Sequence, residues 1–244
     1  MSKAIECMQK YAVEQCVYCS ASGEELKYCR KIMFPELPGE FPAVIFFHGA
    51  GERGSDNCNQ LTHGASELLA WCEKHQQKAL LLFPQCPAGM QWVDTPWGNL
   101  SHSLPPVSRS MSLALQMLEY ETAAHDTDLN RIYVAGISMG GYGTWDALSR
   151  FPEKFAAAFP VCGGADTAQA PHLTGIPVLT YHGDSDPTVP VSRTRDMVKA
   201  VRDAGGRKIT YVELPGCGHD SWSQAFAAEK NWEWLFSCRK VSAE

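Results

Sequence analysis

The sequence predicts an α/β fold with a mainly parallel, twisted sheet and helices on both of its faces. Two observations support this expectation. Apolar runs without alternation, which are typical of strands buried on both faces, recur along the chain. Segments with helical spacing separate these runs, and strands that alternate with helices form βαβ units. The clearest apolar runs are Ala43–Phe47, Ala79–Phe83 and Arg131–Ala135.

An antiparallel hairpin is predicted at the start of the chain, because residues 12–19 and 26–34 alternate on either side of the turn Ser20–Glu24. Further strands are expected at residues 43–47, 79–83, 131–135, 155–161, 178–181 and 209–214. Helices are expected at residues 62–74, 108–124, 139–150, 191–204 and 223–236. Residues 84–106 are rich in proline, glycine and tryptophan, and an irregular stretch of this length is usually functional. No repeat or linker interrupts the chain, so we expect one domain over residues 1–244.

The composition is that of an ordinary globular protein and excludes two classes of partner. Apolar residues make up 45% of the 244 residues and charged residues 20%, with a formal net charge of −6. No long run of lysine or arginine is present, so we expect neither nucleic acid nor a membrane as a partner. The N-terminus lacks a hydrophobic signal segment, which predicts a cytoplasmic protein and leaves a trimmed secreted form as the alternative.

The ten cysteines show no framework that is typical of a metal site or of a disulfide scaffold. Cys16 and Cys19 form a CxxC pattern, but they lie on a predicted strand. Residues three apart on a strand point to opposite faces, so these two thiols cannot share a metal ion. We therefore expect free thiols, and neither a metal nor an organic cofactor.

A G-x-S-x-G pattern, Gly136-Ile-Ser138-Met-Gly140, follows the predicted strand 131–135. Between a strand and a helix this pattern is typical of a nucleophile elbow, a sharp turn that exposes the serine hydroxyl. The glycines are needed because the turn is too tight for side chains two residues on either side of the serine. Ser138 could instead be only a helix N-cap, but the strand–turn–helix context favours a nucleophile.

A serine nucleophile needs a base, and the base needs a carboxylate to orient it. His219 is the best-placed base, because it lies in a glycine-containing loop after the last predicted strand. Asp184 and Asp186 both follow the strand 178–181 and compete for the role of the carboxylate. We favour Asp186, which sits further along a turn stiffened by prolines, and interpret Asp184 as a turn-forming residue. The chain order Ser138, Asp186, His219 is the order found in hydrolases with a nucleophile elbow.

Two backbone N–H groups are predicted to stabilise an oxyanion. The glycine-rich loop after the first buried strand is expected to supply the N–H of Ala50, with Gly51 as the alternative. Met139, which follows the serine, is expected to supply the second donor. His48 and His182 each lie at the end of a strand, and we interpret both as residues that organise the adjoining loops.

Four segments carry a family resemblance: FFHGAGERGSDN at 46–57, GISMGGYGTW at 136–145, HGDSDPTVPV at 182–191 and GCGHDSW at 216–222. They resemble bacterial α/β-hydrolases described as predicted peptidases or esterases, which are related to feruloyl esterases and polyhydroxybutyrate-depolymerase-like enzymes. The resemblance covers nearly the whole chain and implies an α/β-hydrolase fold with Ser138, Asp186 and His219 as the catalytic triad. It implies esters rather than peptides, because the chain has no room for the β-propeller of prolyl oligopeptidases.

Together these features predict a serine carboxylic-ester hydrolase that forms an acyl-serine intermediate. Little sequence is available for a lid, so we expect small-molecule or carbohydrate-linked esters of short acyl, aryl or hydroxycinnamoyl groups. Trp92, Trp97 and Trp222 fall in predicted loops, where they either stack on such a group or cover small apolar clusters. The alternatives are a thioesterase or acyltransferase, a peptidase-like hydrolase and, from another class, a catalytically silent ligand-binding protein of the same fold.

Overall fold

An eight-stranded sheet forms the centre of the computed structural model, which describes residues 1–240. The strands are β1 (Glu14–Cys19), β2 (Glu25–Met33), β3 (Phe41–Phe47), β4 (Ala79–Pro84), β5 (Thr127–Ile137), β6 (Ala157–Val161), β7 (Val178–Gly183) and β8 (Ile209–Leu214). Their order across the sheet is β1-β2-β4-β3-β5-β6-β7-β8. The predicted strands all form, with ends that differ from the prediction by a few residues.

The sheet is antiparallel at one edge and parallel elsewhere. β1 pairs with β2 and β2 pairs with β4 in antiparallel register, whereas the neighbours from β4 through β8 are parallel. The hairpin turn closes where the Ser20 N–H donates to the Glu24 carbonyl at 2.8 Å. The predicted fold class is therefore confirmed, and the carboxyl ends of the parallel strands meet at one edge, where α/β sheets bind ligands.

Helices cover both faces of the sheet. They are α1 (Lys3–Tyr11), α2 (Ala65–His75), α3 (Arg109–Ala124), α4 (Met139–Arg150), α5 (Ser192–Asp203), α6 (Trp222–Ala227) and α7 (Glu229–Ser237). One apolar core lies under α3, α4 and α5 and contains Trp145. The second core lies under α1, α2, α6 and α7 and contains Trp232. Apolar residues of the helices are thus buried in two cores, one on each side of the sheet, as is usual for this layered architecture.

Helix α1 was not predicted from the sequence. Its start is capped by the Ser2 side chain, which accepts the Ile5 N–H, and it ends where Ala12 takes a left-handed conformation. Ala4, Cys7 and Tyr11 form its buried stripe, which packs into the second core. The helix has only three buried residues among its nine, so its hydrophobic pattern is too short to stand out in the sequence.

The last predicted helix, 223–236, is two helices in the structure. The break lies at Ala228, which has an extended backbone (φ −80°, ψ 97°). Side chains of α7 satisfy the free carbonyls at the end of α6: Asn231 donates to Ala225 at 2.7 Å and Trp232 donates to Phe226 at 2.9 Å. These tertiary hydrogen bonds replace the intrahelical bonds that a continuous helix would make.

The described residues include no helix long and apolar enough to cross a bilayer. All ten cysteines lie within this part of the chain and are free thiols. Cys16 lies against the core while Cys19 is exposed, as expected for residues three apart on a strand.

Candidate active site

Ser138 lies in the turn between β5 and α4, at the carboxyl edge of the sheet. Its backbone has φ 53° and ψ −117°, a conformation that costs a non-glycine residue about 1–3 kcal/mol. The turn brings Gly140 so close to β3 that a Cβ atom there would overlap the carbonyl oxygen of Phe47. A Cβ on Gly136 would overlap the carbonyl of Gly140. The two motif glycines are therefore required by the tight turn that exposes the serine.

The structure brings Ser138, His219 and Asp186 into one hydrogen-bonded chain. Ser138 Oγ lies 2.8 Å from His219 Nε2, and His219 Nδ1 lies 2.7 Å from Asp186 Oδ2. An ionised carboxylate only accepts hydrogen bonds, so the Nδ1 of His219 carries the proton. Nε2 is then free to accept the hydroxyl proton of Ser138, which is the arrangement a general base requires.

The Asp186 carboxylate is buried and fully bonded. Its Oδ1 accepts the N–H groups of Thr188 at 2.8 Å and Val189 at 3.0 Å. Burial by itself raises the pKa of Asp186, but the hydrogen bonds from His182, His219 and these two N–H groups hold that pKa far below its usual range. Asp186 is therefore ionised at neutral pH and can stabilise a protonated His219.

Asp184, the alternative carboxylate, makes none of these contacts. Its Oδ1 accepts the Ser185 hydroxyl and the Gly216 N–H, each at 2.8 Å. It therefore joins the loop after β7 to the loop after β8, and Ser185 N–H adds a second link to the Cys217 carbonyl at 3.0 Å. The geometry supports Asp186 as the triad acid and Asp184 as a residue that holds the two loops together.

The predicted oxyanion donors lie beside Ser138. Ala50 begins a single 3₁₀ turn, Ala50–Glu52, and lines the same cavity as Ser138 and His219. Arg53 holds this turn, because its Nε donates to the Ala50 carbonyl at 2.9 Å. Met139 is the first residue of α4, where backbone N–H groups have no partner within the helix and attract negative charge.

The cavity at Ser138 has a volume of about 320 Å³ and opens to solvent. This volume is at the small end of the range for ligand sites, roughly 300–1,000 Å³. Aromatic and polar side chains form its walls around the triad: His63, Trp97, Thr188 and Trp222. The Trp222 ring also meets the His219 ring edge-on, with centroids 5.3 Å apart.

Similarity to known proteins identifies the family to which the chain belongs. The family described as Phospholipase/Carboxylesterase matches residues 29–232, most of the chain. The chain belongs to this Phospholipase/Carboxylesterase family. A solved structure of a thermostable esterase is 31% identical and superposes with a TM-score of 0.85, covering 93% of this chain and 63% of that one. The resemblance to esterases seen in the sequence is therefore confirmed.

Two curated proteins are also similar to this carboxylesterase-family chain. An uncharacterized secreted protein of Arthroderma benhamiae is 28% identical over 216 residues, which are 74% of this chain and 21% of that protein. The bifunctional acetylxylan esterase/xylanase XynS20E of Neocallimastix patriciarum is 32% identical over 92 residues, 36% of this chain and 13% of that protein. The chain thus spans about a fifth or less of the length of these relatives. Its expected cytoplasmic location stays a prediction.

Trp92 does not line the cavity, so the prediction that it binds substrate is wrong, and the alternative that it covers an apolar cluster fits the structure. Trp92 is fully buried, its ring packs on Phe47 at 4.9 Å between centroids, and its Nε1 donates to the His48 carbonyl at 3.1 Å. The indole is therefore part of the core under the loop. Trp97 and Trp222 are only partly buried and do line the cavity.

Two further residues of the site were not assigned to it from the sequence. His63 has no assigned role in the sequence analysis, but it lines the cavity and lies 3.5 Å from the carboxylate of Glu52. His182 was interpreted as organising a loop, and in the structure its ring contacts Asp186 directly. No local pattern marks His63, which reaches the cavity through the packing of separate segments. His182 instead lies four residues before Asp186, in the same segment as that carboxylate.

One group of residues offers the ligand types of a metal site. Cys162, Asp186 and His219 have potential ligand atoms within 4.8 Å of one another. Burial raises the pKa of the Cys162 thiol far above its usual value, so the thiol stays protonated, whereas metals bind thiolates. Asp186 and His219 are also bonded to each other, so these residues are better suited to proton transfer than to holding an ion.

Proposed function

We propose that this chain is a carboxylic-ester hydrolase that acts through an acyl-serine intermediate. The observation that carries the proposal is the hydrogen-bonded chain from Ser138 Oγ through His219 to Asp186, which opens into a cavity. Membership of the carboxylesterase family supports the same class of reaction. A ligand-binding protein would gain nothing from a strained serine aligned with a base and a buried carboxylate.

In the proposed reaction, Ser138 Oγ attacks the ester carbonyl carbon while His219 Nε2 takes the hydroxyl proton. The Asp186 carboxylate stabilises the resulting imidazolium, and the N–H groups of Ala50 and Met139 stabilise the oxyanion. Collapse of the tetrahedral intermediate breaks the bond to the alcohol, which leaves with the proton from His219. Water then attacks the acyl-serine with the same proton transfers and releases the acid. No metal or organic cofactor takes part in these steps.

The proposed substrates are esters of short acyl, aryl or hydroxycinnamoyl groups, either free or linked to carbohydrate. The small cavity favours a short or planar acyl group over a long chain. Trp97 and Trp222 supply aromatic walls on which a planar ring can stack. One relative is named an acetylxylan esterase, a name that denotes an acetyl ester of a carbohydrate as substrate, and this supports the proposed substrate class.

A fluorophosphonate probe tests whether the serine is a nucleophile. We expect the wild-type protein to be labelled and the Ser138→Ala variant to remain unlabelled, because only an activated serine attacks this phosphorus centre. The same variant is expected to lose roughly 10⁶-fold in kcat for ester hydrolysis, the usual effect of removing a catalytic serine. An unlabelled and inactive wild type would favour the silent ligand-binding protein instead.

A substrate panel tests the proposed specificity. The panel compares p-nitrophenyl esters of rising chain length with methyl ferulate, acetylated xylan, a short acyl thioester and a peptide anilide. We expect the highest kcat/KM for short acyl or feruloyl esters and a fall as the acyl chain lengthens. A preference for acyl chains longer than octanoyl would contradict the proposal that the small cavity selects short acyl groups. A preference for the thioester would favour a thioesterase, and a preference for the anilide would favour a peptidase-like hydrolase.

A further inference from the structure

A second histidine contacts the same carboxylate oxygen as His219. His182 lies near the end of β7 and is completely buried. Its Nε2 lies 3.2 Å from Asp186 Oδ2 and 3.0 Å from the carbonyl oxygen of Val189. No step of the proposed ester hydrolysis uses this ring. A buried histidine nevertheless needs hydrogen-bond partners to offset the loss of water.

The partners of His182 determine where its ring proton lies. The Val189 carbonyl and the ionised Asp186 carboxylate only accept hydrogen bonds, so Nε2 carries a hydrogen. At the other side of the ring, Nδ1 lies 2.7 Å from Thr194 Oγ1 on α5, which in turn lies 3.0 Å from the Gly163 carbonyl. With both ring nitrogens occupied and no solvent exposure, the imidazole has a single orientation.

We propose that His182 is a positioning residue of the triad, whose Nε2–H holds Asp186 Oδ2 where that oxygen accepts the Nδ1–H of His219. This inference rests on the proposed esterase function. The N–H groups of Thr188 and Val189 bind only Oδ1, so they do not fix the position of Oδ2 when the carboxylate rotates. The fixed His182 ring removes that freedom, so His219 keeps the tautomer and direction that proton transfer from Ser138 requires.

The test compares two substitutions at His182 in the full-length protein, assayed with p-nitrophenyl acetate. His182→Phe keeps a ring but removes the donor, and we expect kcat to fall about 10- to 100-fold with KM unchanged, because small displacements of catalytic groups have effects of this size. His182→Gln places an amide N–H near Nε2, and we expect it to recover most of the lost kcat. The far-downfield proton NMR resonance of His219 Nδ1–H should shift or broaden in the Phe variant and return in the Gln variant.

Thr180→Val is the matched control. Thr180 is buried two residues earlier on the same strand, and its hydroxyl has no hydrogen-bond partner, so we expect wild-type kcat and an unchanged resonance. If His182→Phe does not fold, Thr194→Val provides the test, since it frees Nδ1 while leaving His182 and Asp186 in place. We then expect a smaller loss of kcat together with a shifted resonance.

Wild-type kcat and an unchanged His219 resonance in a folded His182→Phe or Thr194→Val protein would overturn the inference. So would a Gln variant as impaired as the Phe variant, because a role confined to packing does not depend on the N–H donor. The NMR measurement needs no substrate. A wild type that hydrolyses no ester would therefore count against the proposed function, while the resonance still reports whether His182 positions Asp186 and His219.

Discussion

The catalytic edge, formed by Ser138, Asp186 and His219, and the pocket wall, formed by Trp97 and Trp222, border one cavity but are held in different ways. Each residue of the catalytic edge lies in a short connection directly after a parallel strand. Trp97 instead lies in the long stretch between β4 and α3, which contains no helix or strand. The sheet therefore determines the positions of the triad residues. Trp222 begins α6, close to His219, whereas Trp97 depends on individual side-chain contacts.

Side-chain contacts hold the stretch between β4 and α3, which contains Trp97, at several points. Tyr142 Oη donates to the Trp97 carbonyl at 2.9 Å, and the Arg53 guanidinium lies over the indole ring at 6.0 Å from its centroid. At the start of the segment, His48 Nε2 accepts the Cys86 N–H at 2.9 Å. Substitutions in the pocket wall are therefore expected to change the substrate preference of the protein without changing the reaction at the catalytic edge. Such a division between a rigid scaffold and its loops is common.

The largest expected effect is on the catalytic edge. Asp186→Asn should lower kcat by about 10⁴-fold, because an amide can donate to His219 Nδ1 and so stabilise the wrong tautomer. The measurement is steady-state hydrolysis of p-nitrophenyl acetate, with circular dichroism to verify folding. Asp184→Asn is the control, since Asp184 contacts the neighbouring loop and not His219, and its loss should be far smaller. Equal losses in the two variants would contradict the distinction drawn between these aspartates.

An intermediate effect of acid on the free energy of unfolding is expected from His48, which binds the start of the stretch that contains Trp97. Burial lowers the pKa of His48 from 6.5 to about 4, so the folded protein binds fewer protons than the unfolded chain between these values. The free energy of unfolding should therefore fall as the pH drops from about 6.5 towards 4. For this group alone the loss at pH 5 is about 2 kcal/mol, from linkage between the two pKa values.

Urea denaturation at pH 7 and pH 5 measures this dependence. In His48→Gln the amide oxygen can still accept the Cys86 N–H but does not titrate, so we expect a smaller change with pH than in the wild type. His102, in the same segment, has a pKa lowered to about 4 by burial and by the charge of Arg193, and it should keep part of the dependence. An identical pH dependence in wild type and His48→Gln would rule out His48 as a source.

The smallest effect is expected in the pocket wall itself. Trp97→Ala should raise KM for methyl ferulate by about tenfold, because an aromatic pair contributes roughly 0.5–1.5 kcal/mol beyond its buried area. KM for p-nitrophenyl acetate with the same variant is the internal control for the acyl group, and kcat should stay near the wild-type value for both. A loss of kcat on both substrates would show that the wall and the catalytic edge are not separable.

The sequence alone predicted the sheet and the arrangement of the catalytic edge because both are local signals. Continuous apolar runs mark buried strands, and the functional groups follow each strand within a few residues. The glycines around Ser138 could be interpreted physically, since a tight turn excludes side chains. The preference for Asp186 over Asp184 rested on turn geometry, and the structure places Asp186 against His219.

Only the tertiary structure shows which residues of an irregular segment are buried in the core and which line the cavity. Trp92 and Trp97 lie five residues apart in one irregular segment, yet one is buried in the core and the other lines the cavity. His63 carries no motif of its own and lines the cavity through the packing of distant elements. His182 lies only four residues before Asp186, but its contact with that carboxylate is seen only in the folded loop. An irregular segment has no period that distinguishes its buried face from its exposed face, so only the packed chain determines the position of Trp97 in the pocket wall. The catalytic edge follows strand ends, which the sequence predicts.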